Sequence, residues 1–116
     1  LYVTVIGSPI DDQNHVKNGM VIDFKDLKKI VKSEIVDVFD HATVFNQNTP
    51  HVELAKTLSE SGHKIILVDY QPTSEEMVID FAHRIASRLP SNIKLHNVRL
   101  HETATAYAEW FASDQE

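Results

Sequence analysis

Apolar positions along this chain recur at two periods, and the switches between them mark its elements. Leu1-Tyr2-Val3-Thr4-Val5-Ile6 is dense in β-branched and aromatic side chains and stops at Gly7-Ser8-Pro9, which predicts a strand. The stretch from Ile10 to Gly19 is polar and turn-like. Phe24, Leu27, Val31, Ile35 and Val38 then repeat at helical spacing behind Asp23, an N-cap type with Asp26 three residues on, predicting a helix from about Phe24 to Val38. A shorter helix is expected from Pro50 to about Ser61, closed by Gly62. The apolar run Ile65-Ile66-Leu67-Val68, within Lys64 to Tyr70, fits a buried strand. Thr73 and Glu76 have capping-box spacing ahead of Met77, Phe81, Ile85 and Leu89, the face of a third helix that Pro90 and Ser91 end. Ile93 to Glu102 reads as a strand whose alternation slips at Asn97-Val98, so a bulge or a twist is expected there. Thr105 to Phe111 is a last strand before a polar tail.

Strand, helix, short helix, short strand, helix, strand, strand is an α+β order, with helices on one face of a largely antiparallel sheet. At 116 residues, 42% hydrophobic and 24% charged, the chain is one soluble-type domain. A net charge of −6 argues against nucleic acid or an anionic membrane as the main partner. No apolar run approaches the ~20 residues that span a bilayer. The absence of cysteine means that no disulfide holds these residues together, and a cytoplasmic setting is the expectation.

Three short stretches carry candidate chemistry. In Asp40-His41 a carboxylate stands beside a side chain that titrates near neutrality, a combination suited to proton transfer. By itself the pair is more simply a helix end, where a histidine suits the negative dipole terminus. Glu102, between His101 and Thr103 at a strand end, offers two acceptor oxygens to a heterocycle with adjacent N–H groups, but alone it is more simply a solvated glutamate. In Pro72-Thr73-Ser74-Glu75 a capping threonine and a first-turn acid already explain the residues, although the same helix start leaves N–H groups for a ligand. The other histidines, His15, His51, His63, His83, His96 and His101, form no close His-x-His or His-x3-His pair, so these residues alone predict no metal site.

In chain order, the strand Tyr2 to Ile6 with Gly7, Gly19-Met20-Val21-Ile22-Asp23-Phe24 with Leu27-Lys28, Asp40-His41 with Asn46, Pro72-Thr73-Ser74-Glu75 and Glu102-Thr103 together resemble the family of 6-pyruvoyl-tetrahydropterin synthases and the related 6-carboxy-tetrahydropterin synthases. The resemblance implies the tunnelling fold, in which trimers close a barrel, two trimers stack as a homohexamer, and sites lie between subunits. It implies a zinc-dependent lyase acting on 7,8-dihydroneopterin triphosphate. The 6-carboxy branch, feeding queuosine (deazapurine) biosynthesis, is the leading expectation because the chain is similar to bacterial versions. The 6-pyruvoyl branch and a non-catalytic pterin-binding or assembly protein are the alternatives. His41 with Asp40 matches the family's proton relay. Glu102 matches the pterin anchor, which is often counted in the same relay, and Thr73, Glu75 and Thr103 match the substrate pocket.

The sequence departs from the family pattern twice. The family's catalytic cysteine and three zinc-binding histidines are expected upstream of Leu1, so residues 1–116 read as a single, N-terminally incomplete domain. The segment at about 47–71 is longer than usual and reads as an inserted helix and strand that caps the pocket entrance or extends a subunit contact.

Overall fold

A computed structural model describes residues 1–115. Five strands and four helical segments follow one another as β1 (Tyr2–Ile6), α1 (Phe24–Val31), a π-helical turn (Lys32–Val36), α2 (Asp37–Phe39), β2 (Thr43–Asn46), α3 (Val52–Glu60), β3 (Ile65–Val68), α4 (Ser74–Ala86), β4 (Lys94–His101) and β5 (Tyr107–Phe111), with a closing 3-10 turn at Ala112–Gln115. Strands β1, β4 and β5 form an antiparallel sheet in the order β1-β4-β5. Period-two alternation turns Val3, Val5, Leu95, Val98, Leu100, Ala108 and Trp110 toward the helices, and the core cluster joins them to Ile35, Val78, Phe81, Ala82 and Ile85. At the end of β1 the chain comes so close that a Cβ on Gly7 would lie 2.9 Å from the Ile93 side chain.

The first helix runs without a break from Phe24 to Phe39, one residue beyond the predicted end. Asp23 caps it, accepting a hydrogen bond from the Lys25 backbone N–H at 2.9 Å. Its inward residues Leu27, Val31, Ile35 and Phe39 are spaced strictly by four, which overshoots a turn of about 3.6 residues and would carry the stripe round the helix. The wider π turn takes up the excess and keeps Phe39 on the core side. Successive contacts, Glu34–Arg88 at 2.5 Å and Phe39–Phe81 with ring centroids 4.9 Å apart, make this helix antiparallel to α4. Thr73 caps α4 through the Glu76 N–H at 3.2 Å. The capping box is only half made, because the Thr73 N–H donates to the Gln71 carbonyl at 2.7 Å.

Three expectations need correction. Strand β2 was not predicted: it follows the 40–41 loop and pairs in parallel with β3, so a separate two-stranded sheet accompanies the antiparallel one. With α3 as the crossover, residues 43–68 form a βαβ unit. The bulge lies at His96, not Asn97-Val98, since Thr4 opposes Asn97 while Val5 opposes Leu95. The α-helical stretch of α4 stops at Ala86, and Leu89 reaches the core from the turn that follows.

The molecule is elongated, 57 × 30 × 26 Å, with a radius of gyration of 17.1 Å. A compact chain of this length would have about 13.4 Å. Its accessible surface of 8006 Å² likewise exceeds the roughly 6,400 Å² of a compact monomer of this size. No helix among the described residues is long and apolar enough to cross a membrane.

Ile85 is fully buried where α4 meets the sheet. Ile85→Ala should therefore cost about 2–5 kcal/mol. Chemical denaturation should show a lower midpoint at unchanged slope, and a midpoint equal to that of the wild type would refute this placement of the core.

Candidate functional site

The first helix ends in a type II turn. The Ala42 N–H donates to the Phe39 carbonyl at 3.0 Å, Asp40 is extended at φ −61°, ψ 126°, and His41 takes a left-handed φ of 58°. That position favours glycine, and a side chain there is held against a preference of about 1–2 kcal/mol. The turn projects the His41 imidazole into solvent, 92% exposed, with Nε2 3.8 Å from Asp40 Oδ2. This is an ion-pair distance too long for a hydrogen bond. Exposed pairs of this kind orient weakly, so in this chain alone Asp40 is a neighbour of the histidine and not a clamp on it.

A lysine that sequence reasoning missed holds the turn. Lys64, immediately before the βαβ unit's second strand, donates from Nζ to the Asp37 carbonyl at 2.8 Å and to the Asp40 carbonyl at 2.9 Å. It satisfies two carbonyls at the negative helix end, where a cation is favoured. The Thr43 N–H donates back to the Lys64 carbonyl at 3.0 Å. No periodicity or motif marks Lys64, because its partners are backbone atoms 24 and 27 residues away.

Glu102 and Thr103 begin the loop that joins β4 to β5. Both of their N–H groups donate to the Ala106 carbonyl, at 2.9 and 3.2 Å. Thr103 Oγ1 accepts from the Ala106 and Thr105 N–H groups at 3.0 and 3.4 Å, so this hydroxyl is part of the loop's own bracing. The Glu102 side chain is exposed, and among the described residues no hydrogen bond or ion pair engages its carboxylate. At the start of α4, Thr73 is committed to its cap and Glu75 stands exposed in the first turn.

The topology gathers these groups at one end of the molecule. The end of β1 lines a cavity with residues 19–24, whereas its start lines another with Val31, Lys32 and Val36, so β1 and the first helix are antiparallel. Tyr2 opposes Arg99, which sets the end of β4 beside the start of β1. With α4 antiparallel to the first helix, the turn at 40–41, the loop at 102–103 and the α4 N-terminus at 73–75 share that end. Among the described residues no hydrogen bond or ion pair links one of these groups to another. An open cleft beside Glu102 is lined by Leu1, Tyr2, His101, Thr103 and Ala104, and a second cleft before α4 includes Asn46, His51 and Pro72. Among the described residues no three histidine, cysteine, aspartate or glutamate side chains are grouped to hold a metal ion.

Two further groups escaped the sequence reading. On the helix-free sheet face His101 lies between Tyr2 and Tyr107, with Arg99 over Tyr107 and bound to Glu109 at 2.7 Å. Strand alternation puts Arg99 and His101, and Tyr107 and Glu109, on one face, but not their pairing across strands. The second group runs from Tyr70, whose hydroxyl bonds the Asp80 carboxylate, to Arg84, which reaches Asp80 at 2.8 Å and lies over the Phe39 ring. Burial, and then the Asp80 carboxylate, push the Tyr70 hydroxyl above its ordinary range.

A mixed α/β domain with an acid–histidine turn and a braced glutamate loop at one end matches one family along almost its full length. The chain belongs to the 6-pyruvoyl tetrahydropterin synthase family, whose model matches residues 3–113. It is similar to the 6-carboxy-5,6,7,8-tetrahydropterin synthase of Haemophilus influenzae, 35% identical over 95 residues, which cover 81% of this chain and 66% of that protein. Proteins of the same name from Rickettsia typhi and Rickettsia bellii are 30% identical over 112 residues and 27% over 107, covering 94% and 90% of this chain and 76% and 77% of theirs. The match thus spans slightly less than two-thirds of the Haemophilus protein's own length.

Lys64→Met should release the helix end at a cost of about 1 kcal/mol, a solvent-exposed contact being worth the lower part of the usual range. Amide exchange should quicken from Asp40 to Thr43 while the core amides keep their protection. Unchanged exchange in the turn would remove Lys64 from its tethering role.

Proposed function

We propose that this chain is the pterin-handling part of a lyase that converts 7,8-dihydroneopterin triphosphate to 6-carboxy-5,6,7,8-tetrahydropterin, a cytoplasmic step toward deazapurine (queuosine) compounds. The observation that carries the reading is the family match across all three candidate stretches, supported by relatives that bear the 6-carboxy name. A carboxylate on a loop braced by its own backbone suits an anchor, since among the described residues nothing engages the Glu102 oxygens, and the two can accept the adjacent N–H groups of a pterin's 2-amino-4-oxo edge. His41, exposed and beside Asp40, is suited to carry protons to and from the substrate side chain. Thr73, Glu75 and Thr103 would line the approach to the ring.

The two halves of this reading need a neighbour. Among the described residues of one chain the His41 turn and Glu102 make no direct link, which fits a site shared between subunits. The open edges of β1 and β5 and the large accessible surface support trimers, and a hexamer of two trimers. The 47–71 segment would extend the pocket wall or the subunit contact, reaching the His41 turn through Lys64. The described residues do not fit a zinc site, because no three ligand side chains are grouped among them, and the steps proposed here run through no metal. The 6-pyruvoyl product is the second reading, favoured by the family's own description. Release of acetaldehyde with the triphosphate would identify the 6-carboxy reaction, and triphosphate release alone the 6-pyruvoyl one.

Three experiments test the proposal. Light scattering at micromolar concentration should report a trimer or hexamer, and a stable monomer would defeat the shared-site reading. His41→Ala should lower turnover by roughly 10²–10⁴-fold with little change in pterin affinity. Glu102→Gln, which turns one acceptor into a donor facing a ring N–H, should weaken biopterin binding by about 2–4 kcal/mol. Wild-type affinity in that variant would end the anchoring role.

A further inference from the structure

We propose that His101 is a positioning residue for Glu102, fixing the anchor carboxylate through a hydrogen bond that spans it; the proposal rests on the reading that Glu102 holds a pterin ring. His101 Nδ1 lies 3.2 Å from the Thr103 carbonyl oxygen. A carbonyl only accepts, so the hydrogen of this contact belongs to Nδ1. The bond closes a ring around Glu102, whose own N–H and that of Thr103 are tied to Ala106. The residue's backbone is thereby held from both sides, while its side chain stays exposed.

The imidazole is itself immobilised. Tyr2 meets it at 5.3 Å edge-on from β1, and Tyr107 at 5.1 Å from β5. Arg99 backs Tyr107 at 4.4 Å and is held in turn by Glu109. Rotating the His101 ring would disturb all three strands. The slot between the tyrosines asks only for an aromatic ring, and a phenyl would fill it without burying an unpaired nitrogen. Instead Nε2 is buried with no hydrogen-bond partner among the described residues. Leaving a buried polar atom unpaired is unfavourable. What the imidazole adds over a phenyl is the Nδ1–H bond across Glu102. A two-point contact to a heterocycle needs its carboxylate fixed to within about half an ångström, and this bond supplies such a restraint.

The test uses two substitutions that remove different halves of the residue, made in the assembled protein. His101→Phe keeps the ring and loses the donor. The melting temperature should stay near wild type while the Kd for biopterin rises about five- to tenfold. His101→Asn keeps a donor near the Nδ1 position and loses the ring. It should melt earlier yet bind biopterin close to the wild-type Kd. Nitrogen NMR of the wild-type imidazole should read the Nδ1–H tautomer. Wild-type affinity in His101→Phe, an equal loss of affinity in His101→Asn, or an Nε2–H tautomer would each overturn the positioning role. Glu102→Gln measured alongside separates the two ideas. If it binds biopterin normally, the anchor reading itself fails. If it binds poorly while His101→Phe does not, only the role of His101 falls.

Discussion

The packing of Phe39 against Phe81 fixes where the rest of this molecule can begin. Phe81 is buried in the middle of α4, and Phe39 is the last residue of the helix that crosses it. Arg84 lies 5.0 Å over the Phe39 ring and is held by Asp80, which also receives the Tyr70 hydroxyl. One aromatic pair therefore joins the first helix, α4 and the segment leaving β3. Because Phe39 is pinned, the type II turn opens immediately beyond it, and that fixes where Asp40 and His41 leave the helix. The βαβ unit is then tied back by Lys64, so a unit that shares no sheet with the main layer still bears on the candidate site.

The helix-free face of the antiparallel sheet is organised differently. Its polar and aromatic residues pair across strands, from Glu109 through Arg99, Tyr107 and His101 to Tyr2. Such pairs each stabilise a sheet by a fraction of a kcal/mol, about 0.2–1. Here the chain of contacts stops beside the Glu102 loop. Rigidity built across three strands therefore reaches the backbone of the loop that carries Glu102.

Much of this was legible in the sequence wherever the signal is local. The helical stripe through Leu27, Val31 and Ile35, the caps at Asp23 and Thr73, and the β-branched first strand were read from neighbours a few residues apart. Strand β2 was not, because Thr43-Val44-Phe45-Asn46 is short and half polar, and its partner lies 22 residues on, in parallel. The family was also legible, and Asp40, His41, Thr73, Glu75, Glu102 and Thr103 could be named as candidates. Their conformation was not legible. Nothing in the letters says that His41 is left-handed, that Thr103 spends its oxygen on its own loop, or that Lys64 reaches back to two carbonyls. Those facts depend on backbone atoms, whose partners are set only once the layers have packed.

The π turn at Lys32–Val36 makes the length of the first helix, rather than its composition, the quantity under constraint. Each residue added to or removed from a regular helix rotates everything beyond it by about 100°. Deleting one residue from this turn would restore ordinary α-helical spacing, and local stability need not suffer. Phe39 would nevertheless leave its place over Phe81, and the turn that follows would open on a different side of the helix. Substitutions here are thus judged by the core, whereas insertions and deletions are judged by the direction in which His41 faces. The loops of the βαβ unit carry no such helical phase.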